Sequence, residues 1–351
     1  MNIGSVSTLA MSLQARKSVA DTQRELLHLQ GEQATGKKRD VAGDLGALTS
    51  RDILLREAFS EAEGFITSNK TLASRLEITQ ASLTGARDNA NSFISNIVAA
   101  LHGEVAIELI PDAALDLIGN LEGALNTSFG GRSIFAGTAV DQQALQLNDQ
   151  VNGGTGFSPM QVIQDVIAAK PPVTDAATLN DLLTGPDGIS TVFDSTHTNA
   201  AYRFNTTFYN GNTQGVTARI DAETMVNAGA RADDPGARLI MEAAYTLAAI
   251  DPASMPSVEY RTVLESALDK VQRGIGLLEQ TQAILGLSEQ AIERAQTRHD
   301  LTLNVATRQI NELEGADPYE TAVRLSNATT QIEATFSITA RLSRLSLMNY
   351  L

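Results

Sequence analysis

Two long heptad seams constrain this chain more than any other feature. From Leu72 the positions Leu76, Thr79, Leu83, Ala86, Ala90, Phe93, Ile97 and Ala100 follow at alternating steps of four and three, and only Thr79 breaks the apolar line. That spacing places a continuous stripe on one long helix. A second line starts at Leu264 and runs through Leu268, Val271, Ile275 and Leu278. It is diluted by Gln282, Glu289, Gln296 and His299, and resumes at Leu303, Ala306, Ile310 and Leu313. The dilution predicts a bend or a change of partner between 278 and 303. Stripes of this length pack most simply against each other inside a bundle. Pro111-Asp112 restarts a helix with Leu115, Ile118, Leu121 and Leu125 on one face, and Asp234-Pro235 opens another through Ile250. Gly315 followed by Asp317-Pro318-Tyr319-Glu320 marks a break and a restart, with an N-cap, a proline at the first helical position and a glutamate at the third.

The middle of the chain is built differently. Residues 126–234 hold four of the nine prolines, eleven of the 26 glycines and eight of the sixteen aromatics. Half the aromatics in about a third of the length predict a separate small core. Tyr202, Phe204, Thr206 and Phe208 alternate with other residues ahead of Asn210-Gly211, which predicts a strand running into a turn. Val216–Ile220 and Thr224–Asn227 are further strand candidates. The expected fold is therefore mainly α, a long-helix coiled-coil bundle made by the N- and C-terminal segments, with an inserted mixed α+β or β-rich middle domain. The expected division is 1–42 with 315–351, 43–128 with 236–314, and 129–235 as the strand-bearing insertion.

Both ends read as helices that nearly lack charge. Residues 1–15 contain no ionisable side chain, and residues 325–351 contain only Glu333, Arg341 and Arg344. A solvated terminal helix normally carries a charged face. Here Val6, Leu9, Leu13, Ala20 and Leu27 lie along one heptad line. Leu325, Ala328, Ile332 and Phe336 recur at steps of three and four, with Leu342, Leu345 and Leu347 beyond them. The rest of both surfaces is mostly Ser, Thr, Ala, Asn and Gln. One helix pair at the termini has too little core to stand alone, so these stripes are expected to be assembly surfaces.

The exclusions are equally informative. With 26 basic against 41 acidic residues the formal charge is −15, which argues against a nucleic-acid partner. No cysteine is present, so thiol chemistry, disulfides and Cys-zinc sites are ruled out. His28, His102, His197 and His299 are far apart and form no H-x-x-x-H pair, so no metal is expected. Gly31-Glu-Gln-Ala-Thr-Gly36-Lys37-Lys38 approaches a phosphate-binding loop, but a helix precedes it and Lys38 stands where a hydroxyl would hold magnesium. It is expected to be a helix-ending turn. There is no G-x-S-x-G elbow. Catalytic residues and cofactors are accordingly expected to be none. No apolar run is long enough to span a membrane, and Arg16 and Lys17 follow the first apolar residues instead of preceding them, unlike a secretory signal.

Several segments carry a resemblance. Leu29-Gln-Gly-Glu-Gln-Ala-Thr-Gly-Lys-Lys-Arg39 is similar to the "L-x-S/T-G-K-R" turn of the bacterial flagellin superfamily, and Asp40-Val-Ala-Gly-Asp44 partly matches the Asp-rich stretch that follows it. Gly130-Gly-Arg-Ser-Ile-Phe-Ala-Gly137 resembles the "G-x-Y-x-F-x-G" segment, and Tyr209-Asn-Gly211 the later "Y-x-G" turn. The closing Leu345-Ser-Leu-Met-Asn-Tyr-Leu351 looks most like the "L-S-L-L-D-Y-L" ending of the family's hook–filament junction members. Filament-forming flagellin is the alternative within the family. The resemblance implies a structural, non-catalytic protein of the flagellum, exported without a cleaved signal peptide through the flagellar type III apparatus. The partners it implies are the first hook-associated protein, flagellin, further copies of this chain in a ring, and a flagellar export chaperone. It implies neither a nucleic acid nor a membrane.

Overall fold

A computed structural model describes the backbone from residue 3 to residue 348, and side chains at residue 10 and over residues 13–340. The order is α1 (Ile3–Thr35), α2 (Val41–Leu45), α3 (Thr49–Leu101), α4 (Ile110–Leu125), β1 (Ser128–Phe129), β2 (Arg132–Ser133), α5 (Pro159–Ala168), α6 (Ala176–Thr184), α7 (Ile189–Phe193), β3 (Thr217–Arg219), β4 (Met225–Asn227), α8 (Pro235–Ala249), α9 (Ser257–Glu314) and α10 (Pro318–Met348). The chain forms two compact units, residues 1–64 with 298–351, and residues 65–297. The fold is mainly α, with the long helices α3 and α9 packed together and two short antiparallel strand pairs in the middle.

In the unit of residues 65–297 the first seam is buried along its whole length, Thr79 included. Thr79 does not break the stripe, because its Oγ1 donates to the Arg75 carbonyl 2.9 Å away and enters the core already hydrogen-bonded. Leu264, Val271, Ile275, Leu278, Leu285 and Ile292 of α9 are buried as well. The dilution at Gln282 has a specific cause. Gln80 of α3 donates to the Gln282 carbonyl at 2.9 Å, and the Gln282 amide donates to Thr84 Oγ1 at 3.0 Å. The polar residue bridges the two helices, and α9 runs on as one unbroken helix from Ser257 to Glu314.

α4 packs against α8. Its buried face holds Ile118, Leu121 and Leu125 as expected, but Leu117 points inward and Leu115 outward. Asp234-Pro235 opens α8 as expected. The middle region does not build a core of its own: Ile134, Phe135, Val162, Leu179, Phe193 and Phe208 join one continuous cluster with α3, α4, α8 and α9. Residues 204–208 are not a strand either; they form a π-helical turn. Phe204 and Phe208 stand four residues apart, so a helical turn sends both rings to the same side. There they stack with centroids 5.5 Å apart and meet Phe193, while Phe208 also meets Tyr245. A strand would also have placed both on one face, but the backbone follows the tighter cluster. The strands predicted near Val216–Ile220 and Thr224–Asn227 do form, paired from Thr217↔Asn227 to Arg219↔Met225.

Two carboxylates lie deep in this unit. Glu242 is paired with Lys270 at 2.6 Å and accepts from Ser190 Oγ at 2.5 Å. Glu122 is buried and accepts only a 3.3 Å hydrogen bond from Tyr245 among side chains. Burial pushes its carboxyl from 4.5 up to about 7, against the hydrogen bonds that favour ionisation. As the pH rises from 4.5 to about 7, the unfolded chain ionises at this position before the folded one does. The folded state should therefore lose stability across that window, by roughly 3 kcal/mol at most, and keep the loss above it. Urea midpoints at pH 5 and pH 8 should differ in the parent and converge in Glu122→Gln; an unchanged slope in the variant would place its origin elsewhere.

Candidate assembly surface on the terminal helices

The unit of residues 1–64 and 298–351 is organised around the pairing of α1 with α10. Ala15, Val19, Thr22, Leu26 and Leu29 of α1 are wholly or partly buried, and so are Thr321, Leu325, Ala328 and Ile332 of α10. Arg324 and Glu25 form an ion pair at 2.6 Å across the pair. Such an exposed pair adds little stability, but it fixes which residues lie opposite one another.

A clamp around a buried carboxylate sets where the pair begins. α1 ends at Thr35, and Gly36 takes the left-handed conformation with φ of 69°, which glycine adopts without a Cβ penalty. Lys37 then bridges to Gly315 as a single antiparallel β-pair, with Lys38 N donating to the Glu314 carbonyl at 2.8 Å and Ala316 N to the Gly36 carbonyl at 3.0 Å. The Glu314 side chain is buried and takes Lys37 Nζ at 3.3 Å and the guanidinium of Arg56. Arg56 also holds Asp52 at 3.1 Å, and its hydrogen bond to Glu314 raises its pKa above the ordinary value. Lys38 Nζ reaches the Leu313 carbonyl at 3.1 Å, neutralising the negative end of α9. Arg39 N donates to Glu32 Oε1 at 3.2 Å. The segment that looked like a phosphate loop is thus a helix stop, and each of its basic residues ties the start of the chain to the end of α9 or back onto α1.

The predicted interface residues separate into three groups. Leu325, Ala328 and Ile332 face α1 within the subunit. Leu13, Ala20 and Leu27 of α1, and Phe336 of α10, remain exposed: Leu13 is 57% exposed, Leu27 58% and Phe336 51%. The side chains of Val6, Leu9, Leu342, Leu345 and Leu347 lie outside the described residues. The sequence reading missed Tyr319, Val323 and Ile338, which are also exposed, and the clamp residues Glu314, Arg56 and Asp52. Eleven of the eighteen large apolar side chains found exposed among the described residues belong to this smaller unit. Grouped exposure of apolar side chains is a feature of interaction surfaces in general.

The polar residues between these side chains reinforce the reading. Thr329, Thr330, Thr335 and Thr339 of α10 each donate to the carbonyl four residues back, at 2.7–3.0 Å, as Thr22 does on α1. Their donors are already satisfied, so covering this face strands few hydrogen-bonding groups. Among the described residues no three His, Asp or Glu side chains cluster in a way that could hold a metal ion, and no helix is long and apolar enough to cross a membrane.

Comparison with known proteins follows the same two ends. The model of the bacterial flagellin N-terminal helical region matches residues 6–140, and that of the bacterial flagellin C-terminal helical region matches residues 268–351. No curated protein sequence matches the chain significantly. Among solved structures, a Vibrio parahaemolyticus protein described as flagellar hook-associated is similar with a TM-score of 0.52 at 10% identity, over 77% of this chain and 99% of that one. FlgL of Bacillus cereus aligns with a TM-score of 0.44 at 12% identity, over 76% of this chain and all of that one. At 10% identity the Vibrio likeness is one of fold alone.

Proposed function

Because this chain belongs to the bacterial flagellin family, matched at both its ends over more than half its length, we propose that it is a structural subunit of the flagellum that joins hook to filament and performs no catalysis. One observation carries the assembly reading: after pairing with each other, both terminal helices leave large apolar side chains exposed to solvent, Leu13 and Leu27 on α1 and Phe336 and Ile338 on α10. On this reading Leu13, Ala20, Leu27 and Phe336, with Val6, Leu9, Leu342, Leu345 and Leu347, pack against neighbouring copies in a ring. Leu325, Ala328 and Ile332 hold the pair that presents them. Segments 1–42 and 315–351 then form the inner layer, 43–128 and 236–314 the next, and 129–235 the outer part.

The junction role, in preference to filament flagellin, rests on the closing Leu345-Ser-Leu-Met-Asn-Tyr-Leu351. The first hook-associated protein would meet one side of the ring and flagellin the other. Stripes this adhesive need a guard before assembly, which fits export as an unfolded chain through the flagellar type III apparatus with a chaperone on the C-terminal helix. Immunogold labelling of intact flagella tests the proposal. One spot at the distal end of the hook is expected. Label along the filament would assign the chain to the flagellins, and label at neither place would overturn the flagellar role.

A further inference from the structure

A cavity of about 510 Å³ opens within the unit of residues 65–297, between α3 and the β1–β2 hairpin. Leu72, Phe129, Ile134, Val140 and Ala218 give it apolar walls, and two arginines, Arg75 and Arg132, line it as well. The Arg75 side chain makes no hydrogen bond or ion pair among the described residues, and its Nη2 is sealed from water. Ser133, 7% exposed, also lines the cavity with its Oγ buried and unpartnered. Burial lowers the Arg75 pKa, the like charge of Arg132 lowers it further, and no carboxylate offsets either effect.

A buried guanidinium nitrogen and a buried hydroxyl, both without partners, are costly. The cost is unexpected in a chain with a formal charge of −15, where acidic partners abound. Two arginines and a hydroxyl lining one cavity suit an anion, and the planar fork of arginine matches a carboxylate. The volume falls in the range of small-molecule sites, and a lone inorganic anion or one acidic side chain would leave most of it empty. We propose that this cavity binds a small organic carboxylate with an apolar body of several carbons. Arg75, Arg132 and Ser133 Oγ take the carboxylate, and Leu72, Phe129 and Ile134 take the body.

Isothermal titration calorimetry on the full chain tests this, with hexanoate as probe, hexanamide as its neutral counterpart and inorganic phosphate as an anion without a body. Hexanoate should bind saturably with one site per chain, and Arg75→Met should weaken it by about tenfold or more. The same substitution should leave the unliganded thermal midpoint no lower, because it removes a charge without a partner. If Arg75→Met does not fold by circular dichroism, Arg132→Met and Ser133→Ala give the same reading from the other two donors. The proposal fails if the parent does not bind hexanoate at millimolar concentration. It fails equally if hexanamide or phosphate binds as tightly, or if hexanoate binding survives all variants that fold.

Discussion

A subunit carrying Phe336→Asp should fold as the parent does and be exported, yet cells making it should keep their hooks and shed flagellin monomers into the medium. Phe336 is half exposed on α10, so a charge there can stay in water and costs the isolated subunit little. In a ring the same carboxylate would be covered at every subunit contact without a counter-ion, at several kcal/mol each time. Ala328→Asp is the contrasting variant. Ala328 is buried against α1, so that charge should also separate the helix pair in the isolated subunit, visible as a loss of helical circular dichroism. Ile332→Asp should fall between the two, since Ile332 is partly buried. Secretion of each variant must be measured first, because the C-terminal helix is also the proposed chaperone segment. Normal export of Phe336→Asp together with intact filaments would remove this helix from the assembly surface.

The second large effect is on folding. Leu83→Asp should abolish cooperative unfolding of the parent type. Leu83 is 1% exposed, in the middle of the α3 seam. An unpaired buried charge plus the lost apolar volume comes to roughly 5 kcal/mol or more, comparable to the whole net stability of a domain. Leu268→Asp should cost less, because Leu268 packs only at the edge of the core. Thermal melts by circular dichroism would rank the two. An unchanged midpoint for Leu83→Asp would mean that the burial of this seam is misassigned.

The long helices were legible because heptad spacing, proline-initiated restarts and the Gly315–Glu320 break are local signals, and local signals survive in a bare sequence. Thr79 and Gln282 looked like flaws because periodicity counts apolar residues. It cannot see that one hydroxyl is satisfied by its own helix and that one amide is satisfied by the facing helix. Phe204 to Phe208 misled for a related reason: a spacing of four fits both an alternating strand and a helical turn, and the choice lay with distant Phe193 and Tyr245. On α1 the sequence showed a stripe without naming its partner. Leu13, Ala20 and Leu27 form one line and Ala15, Val19, Thr22, Leu26 and Leu29 another, and only the fold assigns the second line to α10. The clamp was half legible. The basic run at 37–39 stood out as a motif, but its acid, Glu314, lies 277 residues from Lys37.

The threonines of α10 have one more consequence, a mechanical one. Each spends its donor on its own backbone, so these positions offer neighbours no row of outward-pointing hydroxyl donors. Contact through such a face depends on the area covered and only weakly on which atom sits opposite which. Two copies can shift along each other by a fraction of a helical turn and keep most of what holds them. On the proposed junction reading, a layer of this kind would act as a slip plane, letting neighbouring copies slide while their shapes stay engaged.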